Sequence, residues 1–183
     1  MIKSSLLRSH IAQLLVCLLA LVWFTQAGAK GVYQEPEDFI AEAFGGSAPE
    51  ASRIFLKGDV KKQIKEILGK RYKSIKIPYW QDGQRTVWIL DEIGKDLPIT
   101  TGFIVNNKNQ IERVKVLIFR ESRGWEVRHD FFTDQFLGLK AKNDYKKLSG
   151  HVENVTGATL SVNAIKKLSR MALYLTSQVS KPE

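Results

Sequence analysis

The sequence contains a single cysteine, Cys17, which lies in an apolar run near the N-terminus. One cysteine cannot form an internal disulfide, hold an iron–sulfur cluster by itself or provide the Cys-x-x-Cys-His attachment of a c-type haem. Any redox chemistry must therefore use a cofactor that is held without sulfur. Flavin satisfies that restriction but does not follow from it.

Histidine is also scarce, with His10, His129 and His151 the only three in the chain. His129 adjoins Asp130, yet no second histidine or cysteine stands at metal-ligand spacing from it. No serine lies in a nucleophile-elbow pattern. We therefore predict no metal site and no catalytic residues.

Acidic residues are fewer than basic ones: the chain has 19 aspartates and glutamates and 28 lysines and arginines, which gives a formal charge of +9. A basic protein suits nucleic acid, an anionic membrane surface or an acidic partner. The basic residues are spread along the chain, which is typical of the solvated faces of helices. Charge alone therefore selects no partner.

The chain lacks an apolar run long enough to span a membrane by the usual measure. The run Ile11–Phe24 has 14 residues, whereas a spanning helix needs about 20. Lys3 and Arg8 precede it and Ala27–Ala29 follow, so residues 1–29 read as a signal peptide that is cleaved near Ala29. Cleavage would leave a periplasmic protein with a charge of +7 and excludes nucleic acid as a partner. The alternative is an uncleaved segment that anchors the protein in the membrane.

Residues 30–70 are predicted to form an N-terminal helical segment. The apolar spacing predicts helices over residues 35–44 and 59–68, with Gly69 ending the second. From residue 71 onward the apolar residues alternate, which predicts an antiparallel meander of four strands near residues 75–79, 86–90, 99–105 and 111–118. Asp82-Gly83 predicts a hairpin between the first two strands, and Asn106–Asn109 predicts a turn between the last two.

The chain after the meander predicts an aromatic turn or short helix over 131–138, a polar loop over 142–150 and a final amphipathic helix over 162–178. Helices before and after an antiparallel sheet give an α+β fold.

The segment Thr156–Ser161, Thr-Gly-Ala-Thr-Leu-Ser, stands immediately before the final helix. Gly157 gives the backbone freedom, and Ala158 removes bulk beside the Thr159 hydroxyl. Backbone N–H groups at a helix start favour a phosphate. We expect Ser161 to cap the helix. The alternative is an ordinary helix start without any function.

Two segments resemble FMN-binding domains such as the C subunit of the Na+-translocating NADH:quinone reductase and the G subunit of the Rnf complex. The family motif, Asp-x-x-Ser/Thr-Gly-Ala-Thr-x-Ser/Thr, is matched except that Glu153 replaces aspartate. The family loop Glu-Ser/Thr-Pro-Gly-Leu-Gly is matched less closely, because Arg123 replaces proline, Trp125 replaces leucine and Glu126 replaces the second glycine. The resemblance extends over about residues 97–178.

The resemblance implies that residues 71–183 form an FMN-binding domain with FMN covalently joined to Thr159 through its phosphate. The cofactor-binding residues it implies are Thr156, Gly157, Ala158, Thr159, Leu160 and Ser161 in the attachment motif, and Glu121, Arg123, Gly124 and Trp125 in the loop. Trp125 would stack on the flavin ring, and Arg123 would favour the anionic reduced flavin. For Trp125 the alternative is a buried side chain at a hairpin turn.

The resemblance also implies partners. A threonine hydroxyl is a weak nucleophile, so a periplasmic flavin transferase would move the FMN part of FAD onto it. The protein would then carry electrons between redox partners, such as a membrane reductase or a cytochrome. Two alternatives remain: a flavin-dependent reductase of a small acceptor, and a cofactor-free module that binds acidic partners or lipid headgroups.

Overall fold

The computed structural model describes residues 31–180, so the predicted signal peptide lies outside the described residues. One sheet of five antiparallel strands in sequential order dominates this part of the chain. Its strands are β1 (Ser52–Phe55), β2 (Lys76–Gln81), β3 (Arg85–Ile93), β4 (Pro98–Asn106) and β5 (Ile111–Phe119).

Helices lie on both faces of the sheet and confirm the predicted α+β fold. They are α1 (Pro36–Ala43), α2 (Gly58–Leu68), the short α3 (Asp130–Thr133) and the C-terminal α4 (Thr159–Val179). Two 3-10 turns, Trp125–Arg128 and Asp134–Phe136, flank α3. No helix within residues 31–180 combines the length and the apolar character that crossing a bilayer requires.

The turns of the meander follow the sequence signals that predicted them. In the β2–β3 turn, Oδ1 of Asp82 accepts hydrogen bonds from the N–H groups of Gln84 and Arg85, both at 2.9 Å. In the β4–β5 turn, Oδ1 of Asn106 accepts the N–H groups of Lys108 and Gln110, both at 3.0 Å. Each short side chain thus replaces a backbone acceptor and fixes the register of its hairpin.

Two elements were not predicted. Strand β1 pairs only with β2 at the sheet edge, and three of its four side chains are exposed, so it lacks the alternation that identifies a strand. The sheet therefore has five strands where the sequence predicted four. The predicted polar loop over 142–150 contains one strand of a small hairpin, β6 (Ala141–Lys142) with β7 (Lys147–Leu148).

The main core lies between the sheet and α4. The face of α4 that carries Ile165, Leu168, Ala172 and Leu175 is fully buried, as its spacing predicted. It packs on the large side chains of the sheet, among them Trp88, whose indole Nε1 donates a hydrogen bond to Oγ1 of Thr176 at 2.8 Å. Since both partners are buried, this bond joins the last turns of α4 to the centre of the sheet.

The Trp88–Thr176 hydrogen bond yields a first prediction. Thr176→Val keeps the shape of the side chain but removes the acceptor, which leaves a buried indole N–H without a partner. We expect the free energy of unfolding to fall by about 1–3 kcal/mol in urea denaturation. Thr176→Ser retains the hydroxyl and should lose less. A valine variant as stable as the parent would contradict the assigned bond.

Candidate functional site

The attachment motif forms the start of α4. Thr159 is the first residue of this 21-residue helix and is exposed, whereas Ala158 at the cap position is buried. The N–H of Ala158 donates to the carbonyl of Val155 and its own carbonyl accepts the N–H of Val162, both at 2.9 Å. These two bonds fix the motif on both sides of the Thr159 hydroxyl.

The prediction that Ser161 caps the helix is wrong. Gly157, at φ +79°, turns the chain so that α4 begins at Thr159, three residues earlier than its apolar spacing predicted. Ser161 therefore lies within the first turn, where it is 3 % exposed, and no side chain caps the helix. The apolar pattern located the buried face but not the first turn, because Thr159 and Leu160 are exposed.

The absence of a cap leaves the helix start open. Among residues 31–180, no acceptor is hydrogen-bonded to the N–H groups of Thr159, Leu160 or Ser161, and the first turn contains no acidic residue. These are the donors that a helix N-terminus leaves unsatisfied, and they carry its positive dipole end. The Thr159 hydroxyl thus stands beside donors suited to a phosphate.

The Glu121–Trp125 loop packs directly against this helix start. A Cβ added to Gly124 would lie 2.8 Å from Oγ of Ser161 and 3.3 Å from Cα of Ala158, and Gly124 has φ +84°. Only glycine permits this backbone conformation together with so close an approach. The fold therefore brings the two motifs of the sequence into contact.

Glu121 holds the neighbouring β3–β4 turn. Its Oε1 accepts the backbone N–H groups of Lys95, Asp96 and Leu97 at 2.6, 2.7 and 2.9 Å. Burial raises the pKa of this carboxyl, but the three N–H donors outweigh burial and leave the pKa below its ordinary value. One carboxylate oxygen is thus committed to the protein backbone, which gives Glu121 a positioning role at this site.

Trp125 is 43 % exposed, so the alternative of a buried tryptophan is wrong. The Arg128 guanidinium lies 4.8 Å from its ring centre and 4.4 Å from that of Tyr33, and His129 meets the Trp125 ring edge-on at 5.6 Å. These neighbours steady one side of the indole and leave the remainder at the surface. Arg123 is exposed in the same loop. Sequence reasoning did not find Arg128, since its two aromatic partners are separated in the chain.

Glu153, the one departure from the attachment motif, is exposed at the approach to α4. Its side chain lies 3.3 Å from Nε2 of His151, and its N–H donates to Oε1 of Gln135 at 2.6 Å. The longer side chain is accommodated in solvent without strain on the loop that leads to Thr159.

A groove of about 510 Å³ borders the helix start on the side of Leu160. Five cationic side chains line it, and we call it the cationic groove: Lys146, Lys147, Lys166, Lys167 and Arg170. The sequence suggested dispersed basic residues on solvated faces. The fold instead gathers a pair from β7 and its approach with three from α4.

These observations define an α+β domain that presents a threonine hydroxyl at the open start of its last helix. Residues 94–174 match the model of the FMN-binding domain family, and this part of the chain belongs to that family. The match includes both the Glu121–Trp125 loop and the Thr156–Ser161 motif. No curated protein matches the chain. The match supports a flavoprotein with FMN as its cofactor.

The contact at Gly124 yields a second prediction. Gly157→Ala introduces a side chain at φ +79° in open space, so backbone strain of about 1–2 kcal/mol is its only cost. Gly124→Ala adds a steric clash to similar strain and should destabilise the fold by about 1–3 kcal/mol more. Urea denaturation measures both. Ser161→Ala removes the nearest clashing atom and should recover part of the Gly124→Ala loss. Equal losses for the two alanine variants would contradict the contact.

The Glu121 carboxylate yields a third prediction. Glu121→Gln should lower the free energy of unfolding at neutral pH, because the charged acceptor of three N–H groups is lost. The folded-state pKa of Glu121 is lowered. The stability that its charged carboxylate contributes is therefore complete above the ordinary glutamate pKa of about 4.3 and is lost as the pH falls through the folded-state pKa. The difference between parent and variant should therefore shrink towards acid in urea denaturation. A constant difference would contradict the assignment.

Proposed function

We propose that the chain is an exported electron-transfer flavoprotein in which FMN is joined to Thr159 by a phosphoester bond. One observation carries the proposal: the exposed Thr159 hydroxyl stands at an uncapped helix start inside an FMN-binding domain. Many proteins bind FMN without a covalent bond. The exposed hydroxyl of Thr159 beside unsatisfied N–H groups supports covalent attachment at this residue.

The residues present fit the phosphate of FMN. The N–H groups of Thr159, Leu160 and Ser161 are available as donors, and no first-turn carboxylate repels an anion. A phosphodiester carries one negative charge, which the helix dipole stabilises by about 0.3–1 kcal/mol. Trp125 and Arg123, both exposed in the adjoining loop, are our candidates for contacts to the flavin ring.

Attachment requires help from a second protein. In the proposed step, Oγ of Thr159 attacks the FMN-side phosphorus of FAD. A new P–O bond forms, the bond to the AMP phosphate breaks, AMP leaves, and the hydroxyl proton passes to a base. Among residues 31–180 no acidic or histidine side chain is hydrogen-bonded to Thr159. We infer that the base belongs to a periplasmic flavin transferase. The active site of such an enzyme can accept an exposed residue such as Thr159.

The position of Thr159 supports carriage of electrons between proteins. When bound, FMN supplies both one-electron and two-electron transfer. Leu160, beside the attachment residue, is 51 % exposed, so a cofactor held here remains near the protein surface. A surface cofactor is accessible to the redox centre of a partner, such as a membrane reductase or a cytochrome. We propose a periplasmic location on the basis of the signal peptide over residues 1–29.

A fourth prediction tests the attachment. Protein exported from a host that contains a periplasmic flavin transferase should carry the mass of one FMN less water, beginning at Lys30. Thr159→Ala should carry none, because no hydroxyl remains at that position. Intact-mass measurement and flavin absorbance of the denatured protein report both results.

Two matched variants make this test specific. Thr159→Ser retains the hydroxyl and should retain an adduct, while Thr156→Ala removes the other threonine of the motif and should leave the site of attachment unchanged. An adduct that persists in Thr159→Ala would show that FMN is attached to a different residue. A correctly exported parent protein without any adduct would refute covalent attachment.

A further inference from the structure

The cationic groove is a concave site with an apolar floor and a charged rim. Val152 and Ala164, each 2 % exposed, form its floor, while Leu160 and the five cations are more exposed and form its rim. No aspartate or glutamate is among the residues that line it. A volume of about 510 Å³ exceeds what one hydrated ion would occupy and accommodates a group of side chains.

The positive charge of the groove is not neutralised within the described part of the chain. None of its four lysines forms an ion pair there, and Arg170 donates only to carbonyl oxygens, including those of Ile67 and Lys146 at 3.2 and 2.7 Å. Burial lowers the pKa of the Lys166 amine, and the charge of Glu153 only partly offsets that effect. Partly desolvated cations attract an anion more strongly than fully solvated ones.

The groove begins at the attachment site. Leu160, Ala164 and Lys167 follow one another at helical spacing along α4, so the wall of the groove starts one residue after Thr159. Anything seated in the groove therefore lies against the first turns of α4, next to a group carried on Thr159.

We propose that the cationic groove is the docking surface for a redox-protein partner that inserts a carboxylate-rich protrusion into it. This inference rests on the proposed function as an electron carrier. Docking here would hold the partner beside the attachment residue, where the distance for electron transfer is shortest. Complementary charge would also speed the encounter and make it sensitive to salt.

The shape of the site favours a protein over a membrane. A bilayer presents a broad surface, which would touch the lysines at the rim without reaching the floor formed by Val152 and Ala164. A protruding loop or helix end can place carboxylates on the rim and apolar atoms on the floor. Binding to anionic lipid is therefore the competing outcome that the experiment must detect.

The first assay needs no flavin. Thr159→Ala protein is titrated into a fluorescent oligo-glutamate peptide, and anisotropy gives the affinity at low and high ionic strength. Lys147→Glu and Lys167→Glu should each weaken binding roughly three- to ten-fold at low salt, and the differences should vanish at high salt.

The matched control is Lys108→Glu, which changes the net charge by the same amount. Lys108 lies in the β4–β5 turn, whereas the groove includes Gly94 of the β3–β4 turn. These turns are at opposite ends of β4, about 30 Å apart along the strand. The control should leave peptide binding nearly unchanged. An equal effect of all three substitutions would overturn the proposal, because it would reveal only the general charge of the protein.

Vesicles that contain an anionic phospholipid test the competing occupant with the same variants. If the groove substitutions weaken vesicle binding and spare peptide binding, the proposal of a protein partner is overturned.

A second assay uses the flavin-loaded protein. After reduction, its oxidation is followed by stopped flow with an anionic oxidant, ferricyanide, and with a cationic one, hexaammineruthenium(III). Lys167→Glu should slow the anionic reagent and speed the cationic one at low salt, and Lys108→Glu should do neither. If Lys167→Glu changes the oxidation rate in the same way with both reagents, docking beside the flavin is overturned.

The two assays separate the failure of this inference from failure of the proposed function. Loss of groove-dependent peptide binding while the FMN adduct is present overturns the docking surface alone. If the parent protein, exported from a host with the transferase, takes up no flavin while groove-dependent peptide binding remains, the redox role of the partner is overturned.

Discussion

The burial of one face of α4 against the sheet is the constraint on which the remainder of the structure depends. The helix supplies a large part of the main core, and Ile165, Leu168 and Leu175 within it are fully buried. Their removal would expose the inner face of β3 and β4 at a cost of several kcal/mol for each side chain. Because this packing fixes the axis of α4, it also fixes where the helix begins and therefore where Thr159 stands.

The functional surface is built on that fixed axis by three contacts of different kinds. Gly124 allows a loop backbone to touch the first turn of α4, and Glu121 ties the same loop to the β3–β4 turn. Arg170 ties α4 to the segment just before β7. The first two contacts order the loop that packs on the start of α4, and the third fixes the helix farther along its length. The exposed Thr159 is thus held at the surface by elements that are themselves buried or hydrogen-bonded.

Much of the architecture could be predicted because it depends on local signals. The spacing of α4 identified its buried face, Asp82-Gly83 identified a hairpin, and Gly69 was recognised as the end of α2, where its φ is +74°. Contacts between distant segments could not be predicted in this way. The role of Glu121 depends on N–H groups about 25 residues away, and the cationic groove depends on the meeting of β7 with α4. The Ser161 prediction failed because it started the helix at Val162, whereas the helix begins at Thr159.

Arg170 has a consequence for the order in which the molecule forms. Its guanidinium reaches the carbonyl of Ile67, 103 positions earlier in the chain, and that of Lys146 in the small hairpin. Contacts of such separation are among the slowest to form in a folding domain. They also require α4, which follows every strand of the sheet in the sequence. A nascent chain that lacks residues beyond 158 would thus possess the strands of the sheet but neither the α4 wall of the groove nor the presented threonine. The threonine in this setting is therefore a property of the finished fold, and an enzyme that recognised the setting would act only on chains that had completed folding.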